Sequence, residues 1–183
     1  MIKEISAHIR DLARDTIDNG ATELIIEINE EPANDLLFII IKDNRRIFPD
    51  AESLRKPPSL AAPFFKLICD ACGGSLSVER EKTASNRFAG SGGFKVSAAL
   101  QYYHADRPSL GDIPSTIQEL ISSHSEINVY YTHRYNGRAY QLSTVKIKSI
   151  LDGVPFDTPS VAHWIKENIG EGLTDIMRSE VLF

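Results

Sequence analysis

Cysteine is scarce in this chain: two residues in 183, Cys69 and Cys72. A single CxxC, with no second pair and no histidine at a convincing spacing, does not make a structural zinc site. The pair sits near the end of an expected apolar helix, whereas redox-active CxxC cysteines gain their acidity at a helix N-terminus. Both are read as ordinary helix residues. Positive charge is also in deficit, with 20 Lys and Arg against 25 Asp and Glu, a net charge of −5 and a pI of about 5.5. That balance argues against sequence-independent binding of DNA or RNA, which needs a basic surface. No apolar run reaches the roughly 20 residues that cross a bilayer. The opening MIKEISAHIRDLARD is amphipathic and carries acids, unlike a secretory signal. The expectation is a cytoplasmic protein without a membrane or nucleic-acid partner. A glycine-rich AGSGG at 89–93 is not followed by Lys-Ser or Lys-Thr and leads into a strand, so it is not read as a phosphate loop. The histidines, His8, His104, His124, His133 and His163, are scattered without ligand spacing. His104 and Asp106 could form an acid–base pair, but nothing near them supplies a nucleophile, and all five are read as structural or surface residues.

What is present is an ordinary globular balance, 42% hydrophobic and 25% charged, long enough for one domain or two small ones. The informative stretch is DLARDTIDNGAT at 11–22. Ile2, Ile5, Ile9, Leu12, Ala13 and Thr16 recur at a helical period and define a buried side. Glu4, Asp11, Asp15 and Asp18 fall opposite. Asp11 and Asp15 are four apart, so their carboxylates are neighbours on one face. On its own such a stripe is a solvated face. Asn19-Gly20 ends the helix, Gly20 suiting a left-handed closing residue. Two strand-like runs follow, 23–28 and 35–42, the second ending in Asp43-Asn44.

That order (helix, NGAT turn, alternating strand, apolar strand ending in Asp-Asn) resembles the nucleotide-binding domain of the GHKL ATPases, the group of gyrase-type topoisomerases, mismatch-repair ATPases, heat-shock chaperones and histidine kinases. The resemblance implies roles for four residues. Asp11 stands at the position of the acid that polarises the attacking water. Asp15 stands where the family has an asparagine that helps hold Mg²⁺; aspartate can still ligate it through oxygen but adds negative charge near a triphosphate. Asp43 and Asn44 match the adenine site, where the aspartate accepts a hydrogen bond from the base. Two departures stand beside these matches. Arg45 and Ile47 replace glycines that let the backbone approach the base, and they put bulk into the space adenine needs. The family's long lid is reduced to a proline-bearing connection at 48–59. In the segment Ser59-Leu60-Ala61-Ala62-Pro63, Ser59 and Ala61 replace the glycines of a second motif. Arg45, Arg46, Arg55 and Lys56 bracket the connection. They are phosphate contacts, or the charges of a solvated loop, or cations that pair with Asp11 and Asp15. An arginine that fills the old pocket and pairs with those aspartates would neutralise and close it.

Further along, a helix is expected over 60–72 with Leu60, Phe64, Leu67, Ile68 and Ala71 on the sheet, stopped by Gly73-Gly74. Strands are expected at 75–81 and 94–103, and a first unit closing near His104. Beyond it the pattern predicts a helix at 113–123 and a hairpin of 126–134 and 138–144 about Asn136-Gly137. A helix to Leu151, capped by Ser143 or Thr144, and a last helix opened by Thr158-Pro159 complete the reading. Asp106-Arg107-Pro108 and Leu110-Gly111-Asp112 resemble the tail of small stand-alone GHKL-type proteins commonly encoded beside iron-hydrogenase and NADH-oxidising electron-transfer subunits.

The expected fold is therefore α/β, an α+β two-layer Bergerat-type sandwich at 1–104 with a small α+β unit at 105–183. The first functional expectation is a GHKL-like protein that no longer hydrolyses ATP, binds no cofactor tightly, and acts as a regulatory or interaction module. The resemblance points to electron-transfer or hydrogenase subunits as its protein partners. The alternative is a working ATP- and Mg²⁺-binding protein, a slow ATPase or kinase component. A kinase role would need a phosphoacceptor histidine, for which His8 is the only candidate on the first helix. A third reading gives the relict pocket to another small ligand or to a partner's side chain.

Overall fold

A computed structural model describes residues 4–45, 60–81 and 93–178. Ile2, Ile47, the connection at 48–59 with Arg55 and Lys56, Arg46, and the loop at 82–92 lie outside the described residues.

Among the described residues the helices and strands follow one another as α1 (Ile5–Asp18), β1 (Glu23–Glu31), β2 (Leu36–Asp43), α2 (Ala61–Ala71), β3 (Ser75–Glu81), β4 (Gly93–Gln101), α3 (Ile113–Ser123), β5 (Asn128–Tyr135), β6 (Arg138–Ser143), α4 (Thr144–Leu151) and α5 (Pro159–Met177), with a single 3-10 turn, Pro32–Asn34, between β1 and β2. The strands form one six-stranded sheet in the order β3-β4-β2-β1-β5-β6. All neighbours are antiparallel except β1 and β5, which run parallel from Glu23↔Asn128 to Glu30↔Tyr135. The expected boundary at His104 falls in the connection between β4 and α3. The strands after it extend the same sheet through that parallel ladder.

Alternation sets the inner face. Leu24, Ile26 and Ile28 of β1, Leu37, Ile39 and Ile41 of β2, Val96, Ala98 and Leu100 of β4, and Val129 and Tyr131 of β5 are buried, with half-buried residues between them. Period-2 alternation of this kind puts successive side chains on opposite faces. Helices α2, α1, α3 and α5 pack side by side in that order and contribute to one continuous apolar core. On α1 the buried residues are Ile5, Ile9, Leu12, Ala13 and Thr16, the side the sequence marks, joined by Ser6 and His8. Each fully buried Ile or Leu contributes roughly 1.5–3 kcal/mol relative to exposure.

The start of α1 has no side-chain cap. Its first N–H groups are satisfied from afar: Ile5 N donates to Ser109 O at 3.0 Å and Ser6 N to Leu110 O at 2.9 Å. Gly111 then turns with φ +79° against Glu4 and Ser6. Asp112 caps α3, its Oδ1 accepting from Ser115 N at 2.9 Å. The three residues of the Leu-Gly-Asp pattern thus supply, in turn, an acceptor for one helix, a tight turn, and a cap for the next helix.

The inner face of α2 and the caps of the last two helices differ from expectation. Helix α2 is rotated: Leu60, Phe64 and Leu67 are exposed at 59%, 56% and 63%, while Phe65 and Cys69 are buried, with Cys72 just past its end. The cysteines are free core thiols. Burial pushes the Cys69 thiol up to about 12, with Cys72 and Asp70 adding to the effect. His133 is also core. Its Nδ1 lies 2.7 Å from Tyr131 Oη and its Nε2 2.7 Å from Glu30 Oε1, while Tyr102 Oη donates to Glu30 Oε2 at 3.1 Å. This chain of buried polar groups ties β1 and β5 to the segment just after β4. The caps of the last helices are also simpler than expected: neither Ser143 nor Thr158 makes a side-chain cap bond. The Thr144 hydroxyl instead accepts from Val129 N at 2.8 Å.

Among the described residues no helix is long and apolar enough to cross a membrane.

Candidate functional site

The site lies where α1 passes the ends of β2 and β4. Strand β2 ends in Asp43, and the β1–β2 register sets Asp43 opposite Leu24 on the inner face. A residue at such a position is buried whatever its type, and Asp43 is 3% exposed. Its carboxylate is met by the chain's own donors. Oδ1 accepts from Arg45 N at 3.0 Å and from Phe94 N at 3.2 Å. Oδ2 accepts from Thr16 Oγ1 at 3.4 Å. Arg45 Nε stands 3.0 Å from Oδ2. That contact is an ion pair by distance only, because the Nε–H is not aimed for a hydrogen bond. A carboxylate offers about four acceptor positions, and three of those of Asp43 take hydrogen bonds from the described residues.

The guanidinium of Arg45 lies 4.6 Å from the centre of the Phe94 ring. Its Nη1 is 3.8 Å from Asp15 Oδ2. The Arg45 side chain is only 16% exposed and that of Asp15 25%. One arginine is therefore held between two carboxylates and a ring face. Burial raises the Asp43 carboxyl above the ordinary range, outweighing the lowering by the Arg45 charge, the two N–H donors and the Thr16 hydroxyl. Desolvation therefore outweighs attraction here, as it commonly does for buried ion pairs.

Asn44 does something else. Its Oδ1 accepts from Thr22 N at 2.9 Å and Glu23 N at 3.0 Å, and its Nδ2 donates to Thr22 Oγ1 at 2.9 Å. It pins the first residues of β1 to the end of β2. Asp11 sits one turn before Asp15 and is half-buried. Asp15 Oδ1 also accepts from Asn19 Nδ2 at 3.2 Å. Of the four residues singled out from sequence, Asp15 and Asp43 are drawn together through Arg45. Asn44 points to the chain start of β1, and Asp11 lies one turn before Asp15 on α1. Among the described residues no three His, Cys, Asp or Glu converge as a metal-ligand set.

Two members of the site were missed in the sequence: Thr16 and Phe94. Thr16 had a signal, being the one hydroxyl in the apolar stripe of α1, where a polar group needs a buried partner. Phe94 had none. It reaches Asp43 through the pairing of β4 with β2, in which Lys42 faces Lys95. Gly93 permits that approach, since a Cβ there would stand 1.8 Å from Asp43 O.

The ATPase domain of Aquifex aeolicus MutL, solved in complex with ADP, superposes with a TM-score of 0.50 at 13% identity, covering 83% of this chain and 70% of that one. The chain has the GHKL ATP-binding fold. The ATP-binding domain of Francisella tularensis topoisomerase IV, solved with a small-molecule inhibitor, overlays at a TM-score of 0.44 and 11% identity, over 74% of this chain and 83% of that one. No family model matches the sequence, and no curated protein does. In this chain the helix that carries Asp11 and Asp15 packs against the strand that ends in Asp43.

Proposed function

We propose that this chain is a GHKL-type domain that has lost ATP hydrolysis and serves as a regulatory or interaction module. The observation that carries this reading is Arg45. Its guanidinium covers Phe94 and lies between Asp43 and Asp15, and Asp43 already accepts three hydrogen bonds from the chain with the Arg45 Nε at ion-pair distance. An adenine amino group would therefore have to displace Arg45 to reach the buried Asp43 carboxylate. A triphosphate would also meet Asp11 and Asp15 on α1, where like charge repels. The residues at this site do not fit Mg²⁺–ATP in this arrangement, and no hydrolytic step is assigned to them. The resemblance of 106–112 to proteins encoded beside electron-transfer and hydrogenase subunits makes such a subunit the partner to test.

Isothermal titration of the purified chain with ATP and Mg²⁺ tests the first half, with Asp43→Ala as control. The expected result is no heat at millimolar ATP. Saturable heat that disappears in Asp43→Ala would favour a working nucleotide site instead. For the second half, the chain mixed with purified electron-transfer subunits is expected to co-elute in gel filtration.

A further inference from the structure

We propose that Asp15, Thr16, Asp43 and Phe94 form a binding site for a guanidinium cation, and that Arg45 fills it from within the chain. The proposal rests on the closed-site reading and adds the chemical class of what the site holds.

Three observations carry it. First, the walls are those of a cation site: carboxylates at 3.0 Å and 3.8 Å from guanidinium nitrogens, and an aromatic face 4.6 Å from the guanidinium carbon. Second, the cation is enclosed, with Arg45 16% and the Asp43 side chain 2% exposed. Attraction between a cation and a ring rises as water is removed. Third, Asp43 needs the cation. Its carboxyl is already raised by burial, and Arg45 is the largest influence acting in the other direction. Without the Arg45 guanidinium, a nearly inaccessible carboxylate keeps, among the described residues, two N–H groups and one hydroxyl as hydrogen-bond donors.

The geometry also selects which cation. A guanidinium is flat, weakly hydrated and carries its donors in one plane. It can lie on Phe94 while its edge faces both aspartates. An ammonium is compact and strongly hydrated, and cannot cover the ring and reach both acids at once.

The test is chemical rescue in the full chain. Arg45→Ala should lower the thermal midpoint by roughly 5–10 °C, the scale expected when one partner of a buried ion pair is removed from a chain of this size. Millimolar methylguanidinium chloride should restore a large part of that loss. Methylammonium chloride and sodium chloride at equal ionic strength should not, and wild type should respond to none of the three. Adding Asp43→Asn to Arg45→Ala should abolish the response. Should Arg45→Ala fail to fold, Arg45→Gln keeps the bulk without the charge and is read in the same salts. Equal rescue by methylammonium, or an unchanged midpoint in Arg45→Ala, overturns the proposal. So does a saturable shift of the variant with Mg²⁺–ATP and none with methylguanidinium, which would mean that Arg45 only covers a nucleotide pocket. Failure of the closed-site reading shows separately, as ATP binding by wild type in the titration above.

Discussion

At the scale of single residues, Asp43 shows how one carboxyl can resist its surroundings. It is buried because β2 alternates inward at that position, and burial raises it despite four favourable interactions from Arg45, Phe94 and Thr16. The consequence for stability has a definite sign. Between the ordinary value of 3.8 and its raised folded value, the native state binds the proton more tightly than the unfolded state. Stability contributed by this group therefore falls as pH rises through that window, and is level above it. Asp43→Asn carries no titrating group there. The difference in unfolding midpoint, wild type minus Asp43→Asn, should decline as pH rises from about 4 through the mildly acidic range. A difference that grows with pH would mean that attraction to Arg45 dominates after all. Asn44, next along the chain, illustrates the limit of residue identity as a guide. Asp-Asn at a strand end marked both as one site, yet the two side chains serve different strands.

At the scale of elements, the helices and strands were legible because each carries its own period and its own stop. Asn136 and Gly137 both have positive φ, 47° and 83°, as a two-residue hairpin turn requires. Gly20 closes α1 at +88° and Gly73 follows α2 at +66°. What the sequence did not resolve is which side of α2 faces inward. Leu60, Phe64 and Leu67 and the true inner residues Phe65 and Cys69 are both apolar sets at helical spacing, so periodicity alone cannot choose between them. The docking of the 108–112 segment on α1 was also invisible, since it depends on backbone carbonyls. It makes a sharp prediction. Gly111 has φ +79°, and a Cβ there would stand 2.3 Å from Ser6 Oγ and 2.6 Å from Glu4 Oε2. Gly111→Ala should cost about 1–3 kcal/mol in chemical denaturation, with hydrogen exchange quickened first at Ile5 and Ser6. Full protection at those amides would show that α1 does not depend on this segment.

At the scale of the whole molecule, the order of helices and strands along the chain followed from local patterns, whereas the single sheet and the long-range joins did not. The core network of Glu30, His133, Tyr131 and Tyr102 brings together residues from three segments, and no spacing rule reaches that far. Its tyrosines can be followed from outside. Burial pushes Tyr102 and Tyr140 up to about 12, with Glu30 adding to the effect at Tyr102, and it also raises Tyr131 well above the ordinary value. Their native forms keep the proton through the ordinary range near 10, while the unfolded chain loses it, so stability falls as pH rises above that value. An ultraviolet phenolate titration should therefore leave a late fraction that appears only near 12 or with unfolding. Tyr102→Phe and Tyr140→Phe should each shrink it. A single early transition for all tyrosines would contradict the burial described above.

The parallel ladder between β1 and β5 has a consequence for how this protein comes into being. Strand β1 meets β2 within a few residues of chain, but its other edge waits for partners roughly a hundred residues later, and such distant pairings are slow to form. A ribosome that has released only the elements from α1 to β4 has made a four-stranded sheet whose open border is ELIIEINEE. That border is apolar on alternate residues and offers unpaired backbone groups to any passing strand. The last third of the chain is thus its guard against self-association during synthesis, whatever else it does in the finished protein.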